Sequence, residues 1–222
     1  AKTTDLADPG MRQRGIQEID GRSIVAPISL VSTTITKPVG RRTFEHWVQK
    51  GTTGRMGPVF LEFCLDVQAA PVDPAVLEDR PILGSDRPES LDPEVVAEVA
   101  DLLRSARRPT LLLGGGVSRQ ASSAALPRLH ELNLPTMTTW NGADRLGADD
   151  PVYAGRPNTW GQRSANILLQ QSDLIIALGT RLGLQQTGFN WQGFAPLARV
   201  VQVDLDPVEL SKGHPAVDLP WL

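Results

Sequence analysis

The chain has 222 residues, of which 41% are hydrophobic and 21% charged, and its formal net charge at pH 7 is −3. This composition is typical of a globular protein and allows one large domain or two smaller ones. The slightly acidic balance argues against a nucleic-acid-binding protein, which needs a clustered basic surface. No apolar run reaches the roughly 20 residues of a transmembrane helix, and no signal peptide is visible, so we expect no membrane partner.

Cysteine usage indicates the compartment. Cys64 is the only cysteine of the chain and lies in an apolar segment. A single cysteine cannot form an internal disulfide, so we expect a reducing compartment, the cytoplasm. We interpret Cys64 as a buried structural thiol rather than a nucleophile, because no His or Asn accompanies it in the pattern.

Residues 1–70 predict the end of an α/β unit. The first 22 residues are polar without a clear period, and they lack the start expected of a native N-terminus, so we interpret them as the continuation of a longer protein. Alternating apolar residues predict a half-buried strand over 31–36. A short helix over 43–50 and a second strand over 59–63 follow.

Residues 71–91 predict a linker. Prolines recur there at positions 71, 74, 81 and 88, with scattered Asp and Arg. Such segments bury little apolar area and act as extended spacers. We therefore predict a domain over 1–70 and a second domain over 92–222.

The second domain alternates strands and helices. Asp92 and Pro93 form a strong helix start. Pro127 lies inside a predicted helix and is expected to kink it or to mark its true beginning. The alternation predicts an α/β fold, a Rossmann-like parallel sheet flanked by helices, whose last strand and helix we expect to be missing. The predicted strands cover 110–113, 134–139, 174–178 and 199–204, and the predicted helices start at 93 and cover 118–132 and 164–171.

Three loops that follow strands carry residues suited to a nucleotide. In a parallel sheet such loops meet at one edge. Glycines let the backbone approach a diphosphate at a helix N-terminus, Arg181 can pair with phosphate, and Asp204 or Asp206 can accept hydrogen bonds from ribose hydroxyls. The predicted nucleotide-binding residues are Gly114, Gly115, Gly116, Gly179, Thr180, Arg181, Asp204 and Asp206.

The same loops also admit a purely structural interpretation. The dinucleotide fingerprint fails because Arg119 stands where its third glycine should be. Glycines also permit tight turns, and Asp206 followed by a proline is a helix cap. The sequence predicts no metal ligands and no catalytic constellation. Both interpretations, an adenine nucleotide site and an empty structural fold, stay open.

Four segments resemble a known family. Residues 57–68 resemble the strand that closes the pyrimidine-binding domain of thiamine-diphosphate-dependent enzymes of the acetolactate synthase type. Residues 108–116, 172–182 and 203–207 resemble strands of the central domain of those enzymes. The resemblance implies a larger enzyme of three α/β domains that uses thiamine diphosphate and Mg²⁺ to join or decarboxylate 2-oxo acids, and that assembles as a dimer or tetramer.

The resemblance also implies what this chain holds. The activating glutamate is expected upstream of residue 1, and the Gly-Asp-Gly motif that holds magnesium and diphosphate downstream of residue 222. The chain alone is therefore expected to be inactive. Gln17 and Glu18 resemble a Gln-Glu pair near the active site of the family, although a helix-start glutamate is an equal alternative.

A flavin is the second cofactor that the resemblance raises. Some acetolactate synthases bind FAD through the central domain, but residues 156–161 depart from their Met-His-Gly segment, so FAD or ADP remains open. Residues 184–191 look like acetolactate-synthase-like proteins found with surface-polysaccharide genes. The alternatives outside enzyme function are a free-standing nucleotide-binding module and a structural spacer that mediates assembly.

Overall fold

The computed structural model describes residues 2–4, 13, 15–16, 18–77 and 92–222. The chain separates into two compact units, Ala1–Pro88 and Glu89–Leu222. Residues 78–91 of the predicted linker lie outside the described residues, and the domain boundaries at 70 and 92 stay a prediction. Within the described residues, no helix is long and apolar enough to cross a membrane.

The first unit contains a small parallel sheet. Val31 lies opposite Val59 and Ile35 lies opposite Phe63, and α2 provides the crossover that a parallel pair requires. Both predicted strands are confirmed. The sequence missed the first helix, which begins where the Asp20 side chain accepts a hydrogen bond from the Ser23 N–H at 3.1 Å. The elements are α1 (Gly21–Val25), β1 (Val31–Ile35), α2 (Arg41–Thr52), β2 (Val59–Phe63) and α3 (Pro74–Leu77).

The second unit is a five-stranded parallel sheet with flanking helices, so the predicted α/β fold class is confirmed. Its strands follow the order β4-β3-β5-β6-β7, and every neighbouring pair is parallel. The elements are α4 (Pro93–Ser105), β3 (Pro109–Leu113), α5 (Arg119–Leu132), β4 (Thr136–Thr138), α6 (Arg163–Gln171), β5 (Leu174–Leu178), α7 (Leu184–Thr187), β6 (Arg199–Val203), α8 (Pro207–Ser211) and β7 (Leu219–Trp221).

Both faces of this sheet are buried, as the continuous apolar strands require. Leu111 and Leu113 of β3 belong to a core that also includes Leu129 of α5. Leu112, between them, points to the opposite face and belongs to a second core with Leu169 of α6. Successive side chains of the strand point to opposite faces of the sheet, so β3 contributes to two separate cores.

The structure adds two elements to the prediction for this unit and fixes the start of α5. A helix and a strand outside the predicted ranges, α8 and β7, follow β6, and β7 pairs with β6, while the C-terminal truncation stays a prediction. Pro127 does not mark the start of α5, which begins at Arg119 with the Ser118 hydroxyl accepting a hydrogen bond from the Ala121 N–H. Helix α5 ends at Asn133, whose φ of 47° reverses the chain.

Candidate functional site

The three predicted loops meet at the carboxyl edge of the larger sheet. The Gly114 N–H donates to the carbonyl of Leu178 at 2.8 Å, and the Gly116 N–H donates to the carbonyl of Gly179 at 2.9 Å. The Gly179 N–H in turn donates to the carbonyl of Val203 at 2.9 Å. The loops after β3, β5 and β6 are therefore joined side by side through their backbones.

This edge includes the point where the strand order reverses. The chain leaves β3 for β4 on one side and continues through β5 and β6 on the other. In open α/β sheets, ligands bind outside the carboxyl ends of the strands at such a switch point. The glycine loop after β3 and the loop after β5 flank it.

Glycines at the switch point are required by contact between the loops. A Cβ on Gly114 would lie 2.1 Å from the carbonyl oxygen of Gly179, which no side chain can tolerate. Gly179 has a φ of 58°, and a Cβ there would lie 2.7 Å from the backbone nitrogen of Val117. These glycines serve the structural interpretation directly. So does Gly116, which is exposed at the edge but whose Cβ would lie 2.9 Å from the carbonyl oxygen of Gly179.

Arg181 is held by a buried carboxylate. Its Nε donates to Glu209 Oε1 at 2.5 Å, and the other oxygen of Glu209 accepts from Lys212 Nζ at 2.8 Å. Burial raises the pKa of Glu209, but the hydrogen bonds from Lys212 and Arg181 outweigh it and hold the pKa below its usual value. Glu209 is therefore ionised, while 68% of the Arg181 side chain stays exposed to solvent.

The two aspartates after β6 have local roles. Asp204 Oδ1 accepts a hydrogen bond from the Asp206 N–H at 3.0 Å. Asp206 is the N-cap of α8, because its Oδ1 accepts from the Val208 N–H at 2.9 Å. The predicted helix cap is confirmed, and no observation tests the ribose contacts.

Thr180 connects the loop after β5 to the interior. Its side chain is buried, and its carbonyl accepts a hydrogen bond from Gln202 Nε2 at 3.0 Å. Gln202 is itself fully buried, and its Oε1 makes no hydrogen bond among the described residues. The edge therefore contains a buried acceptor without a partner.

Sequence reasoning missed Arg145, which crosses the glycine loop. Its Nη2 donates to the carbonyl of Gly115 at 3.1 Å, and its Nε donates to the carbonyl of Val117. The Asp144 carboxylate pairs with both Arg145 and Arg119. No local pattern could have found this contact, because it joins positions 28 and 30 residues apart.

A pair of exposed tryptophans was also missed. The ring centroids of Trp140 and Trp160 lie 6.2 Å apart, and both side chains are about half exposed or more. Near them in the chain, Asn158 is buried with its Nδ2 unpartnered in the described structure, and Thr138 Oγ1 is in the same state. Trp140 precedes Asn141, whose Cβ would lie 2.9 Å from a Cβ on Gly115.

The predicted pair of residues in the first unit is only partly described. Gln17 lies outside the described residues. Glu18 accepts a hydrogen bond through Oε2 from the Gly15 N–H at 2.7 Å, which is a turn contact. Among the residues that the structure describes, no group of three His, Cys, Asp or Glu side chains is placed to hold a metal ion.

The second unit matches a known protein family. The sequence model described as "Thiamine pyrophosphate enzyme, central domain" matches residues 96–221. This range runs from α4 through β7, so it includes all five strands of the larger sheet and the three loops at its carboxyl edge.

Similar proteins extend the match into the first unit. The chain is 34% identical over 212 residues to a protein of Methanocaldococcus jannaschii named "Probable acetolactate synthase large subunit", covering 92% of this chain and 35% of that protein. It is 30% identical over 219 residues to the acetolactate synthase large subunit of Parasynechococcus marenigrum, covering 96% of this chain and 35% of that protein. It is 31% identical over 199 residues to that of Corynebacterium glutamicum, covering 88% of this chain and 32% of that protein.

The chain thus spans about a third of the length of these relatives. The family model covers more than half of the chain. The chain therefore belongs to the thiamine-diphosphate-dependent enzymes, carries their central domain, and is homologous to acetolactate synthase large subunits.

Proposed function

We propose that this chain is part of a longer enzyme that uses thiamine diphosphate and Mg²⁺ to act on 2-oxo acids, by acetolactate-synthase-like carboligation or by decarboxylation. The observation that carries the proposal is the similarity to acetolactate synthase large subunits over 92% of the chain, together with the central-domain match. When bound, thiamine diphosphate supplies the carbanion stabilisation that bond cleavage beside a carbonyl requires.

We also propose that the chain alone does not catalyse this reaction. The family resemblance assigns the activating glutamate and the diphosphate site to the first and third domains. The described residues of the central domain supply a scaffold, whose loops at the carboxyl edge hold each other through backbone hydrogen bonds. In this proposal the central domain positions its neighbours in the enzyme and provides no group to the reacting atoms.

The test compares two proteins. Titration calorimetry of the 222-residue chain with thiamine diphosphate and Mg²⁺ is expected to give no measurable heat of binding. The longer polypeptide that contains it is expected to bind the cofactor and to release CO₂ from a panel of 2-oxo acids. Tight cofactor binding by the 222-residue chain would overturn the proposed division of roles. A cofactor-loaded longer polypeptide that consumes no 2-oxo acid would overturn the proposed reaction.

A second candidate function is binding of an adenine nucleotide, ADP or FAD, at the carboxyl edge of the central domain. It is favoured by the exposed guanidinium of Arg181, which Glu209 orients while its Nη atoms have no hydrogen bond among the described residues. Arg181 would pair with the diphosphate, Gly116 would allow close backbone approach, and Asp204 would accept from the ribose. In a non-catalytic variant of this proposal, the domain is a free-standing nucleotide-binding module.

Thermal shift separates these possibilities. ADP, FAD and NAD are each added to the 222-residue chain, and one adenine nucleotide is expected to raise the melting temperature. The shift should disappear in Arg181→Ala and persist in Arg199→Ala, which removes an exposed arginine at the amino end of β6. If no nucleotide raised the melting temperature, nucleotide binding would be contradicted, whereas the assignment to the enzyme family would be unaffected.

We further propose that the enzyme is a cytoplasmic homo-oligomer, a dimer or tetramer, with the central domain contributing to assembly. A single cysteine that is fully buried supports a reducing compartment. Light scattering of the longer polypeptide tests the assembly, and a monomer at micromolar concentration would contradict it.

A further inference from the structure

A cavity opens at the amino edge of the larger sheet, at the opposite end of the strands from the loops after β3, β5 and β6. Its volume is about 820 Å³, which is within the range of small-molecule pockets. It lies where β3 begins, between the end of α4, the turn from α5 into β4 and the end of α6. All of its lining residues belong to the second unit and are described.

Three arginines line this cavity, and among the described residues only the side chains of Arg104 and Arg108 interact with a carboxylate. Arg104 pairs with Asp101. Asp173 accepts hydrogen bonds from the backbone N–H groups of Arg107 and Arg108 at 2.9 and 2.8 Å. Burial raises the pKa of Asp173, but these bonds and the charge of Arg108 lower it below the usual value, so Asp173 is ionised.

The charge balance of the cavity is therefore positive by one. Three guanidinium groups line the cavity, and the two carboxylates that interact with them, Asp101 and Asp173, lie outside its lining. Across the described structure, the side chain of Arg107 forms no hydrogen bond or ion pair, and it is exposed. A ligand with a single negative charge would complete the balance.

The C-terminal ends of α4, α5 and α6 lie at this edge of the sheet. Helix C-termini carry partial negative charge through unbonded carbonyls. At each of these ends, at least one carbonyl accepts a hydrogen bond, which reduces this charge. Arg108 Nε donates to the carbonyl of Gln171 at 2.6 Å, the Ala106 N–H donates to Leu102, and the Asn133 N–H donates to His130.

The walls of the cavity are apolar. Leu103, Leu134 and Leu168 line it together with Leu132. Leu132 is 59% exposed and Leu168 is 38% exposed, so covering them would remove apolar surface from water. The polar floor needs no ligand, because the hydroxyls of Thr110 and Ser172 lie 3.1 Å apart and bond to each other.

We propose that this cavity binds an amphipathic carboxylate, a molecule with one carboxylate group and an apolar body. The carboxylate pairs with the guanidinium of Arg107, with Arg104 and Arg108 beside it, and the apolar body covers Leu132 and Leu168. The site is at the opposite edge of the sheet from the proposed nucleotide site and does not depend on the proposed function.

Titration calorimetry of the 222-residue chain with octanoate tests the proposal. We expect saturable binding of octanoate at one site, and none of octylamine, which has the same apolar body and the opposite charge. Arg107→Ala should weaken octanoate binding by about tenfold, the loss expected for one charge-assisted hydrogen bond. Arg128→Ala removes the same charge from the exposed face of α5, outside the cavity, and should leave the affinity within about twofold.

A second variant tests the apolar wall. Leu132→Asp places a negative charge on an exposed position beside the site, so it should abolish octanoate binding without unfolding the domain, which circular dichroism can verify. The proposal is overturned if octanoate does not bind, if octylamine binds equally well, or if Arg107→Ala and Arg128→Ala have the same effect.

Discussion

The two units of this chain are both parallel α/β structures, yet they bury very different amounts of apolar surface. In the described part of the first unit, the fully buried apolar side chains are Ile35 and Cys64. All the others lie in the second unit, on both faces of its sheet. Phe44, Phe63 and Leu65 of the first unit are substantially exposed. Since burial is the main favourable term in folding, the second unit should carry most of the stability.

The largest expected effect is at Gly114. Gly114→Ala places a Cβ 2.1 Å from the Gly179 carbonyl oxygen, in a contact between backbones that cannot relax. We expect a loss of more than about 3 kcal/mol in the free energy of unfolding of the second unit, measured by urea titration. Gly147→Ala is the control, because a Cβ there meets nothing within 4 Å. Equal stability of the two variants would contradict the tight contact.

A matched pair of truncations tests the unequal burial directly. Leu112→Ala removes a side chain that is 1% exposed in the core of the second unit, and should cost about 2–5 kcal/mol. Val48→Ala in α2 removes one that is 42% exposed, and should cost about 0.5 kcal/mol or less. Hydrogen exchange measured by mass spectrometry reports each unit separately. If both variants increased hydrogen exchange in their own unit to the same degree, the two units would not differ in burial as described.

A pH effect is expected at the carboxylate that holds Arg181. The folded protein lowers the pKa of Glu209, so its ionised form stabilises the fold above the ordinary pKa of about 4.3, and this contribution is lost as pH falls through the folded value. Glu209→Gln should therefore cost about 1–3 kcal/mol at pH 7, and the difference from the wild type should narrow below about pH 4.

Urea titrations between pH 7 and pH 3 measure this difference. Glu131→Gln serves as the control, because Glu131 pairs with Arg128 on the surface and its carboxylate side chain is 61% exposed. A constant difference between wild type and Glu209→Gln across that range would argue against an ionised, hydrogen-bonded Glu209.

The smallest effect concerns surface ion pairs, which both units contain. Arg41 pairs with Glu45 at 2.6 Å in α2, and Arg128 pairs with Glu131 at 2.5 Å in α5. Removing either arginine should cost about 0.5 kcal/mol or less, and equally in both units. Urea titration at low and high salt measures it. A markedly larger loss in one unit would mean that surface charge contributes to their difference.

The sequence predicted the elements whose pattern is local. Strands β2 and β5 have the predicted bounds, because each is a short, largely apolar run that begins directly after a Gly-Pro or Ser-Asp pair. The cap of α4 was also correct, since the Asp92 carboxylate accepts from the Glu94 N–H. Val96 fits the apolar spacing of α4 but is 51% exposed, because periodicity does not fix the width of the buried face.

Elements and contacts that depend on distant residues were not predicted. Strand β7 contains a proline and only three residues, so it becomes a strand through its pairing with β6. At the candidate site, the meeting of the three loops followed from the parallel sheet, whereas the pairing of Arg181 with Glu209 and the crossing of the glycine loop by Arg145 required the folded chain. Their roles toward a ligand stay predictions.

The edges of the larger sheet have a consequence for aggregation. Pro220 sits in the middle of the edge strand β7 and has no N–H to offer an incoming strand. At the other edge, the Thr136 N–H of β4 donates to the carbonyl of Val152, and the Thr136 carbonyl accepts from the Ala154 N–H. These two bonds occupy the outward-facing backbone groups of β4 at this position. Among the described residues, both margins of this sheet are therefore poor sites for strand addition, and edge-to-edge pairing through them is disfavoured.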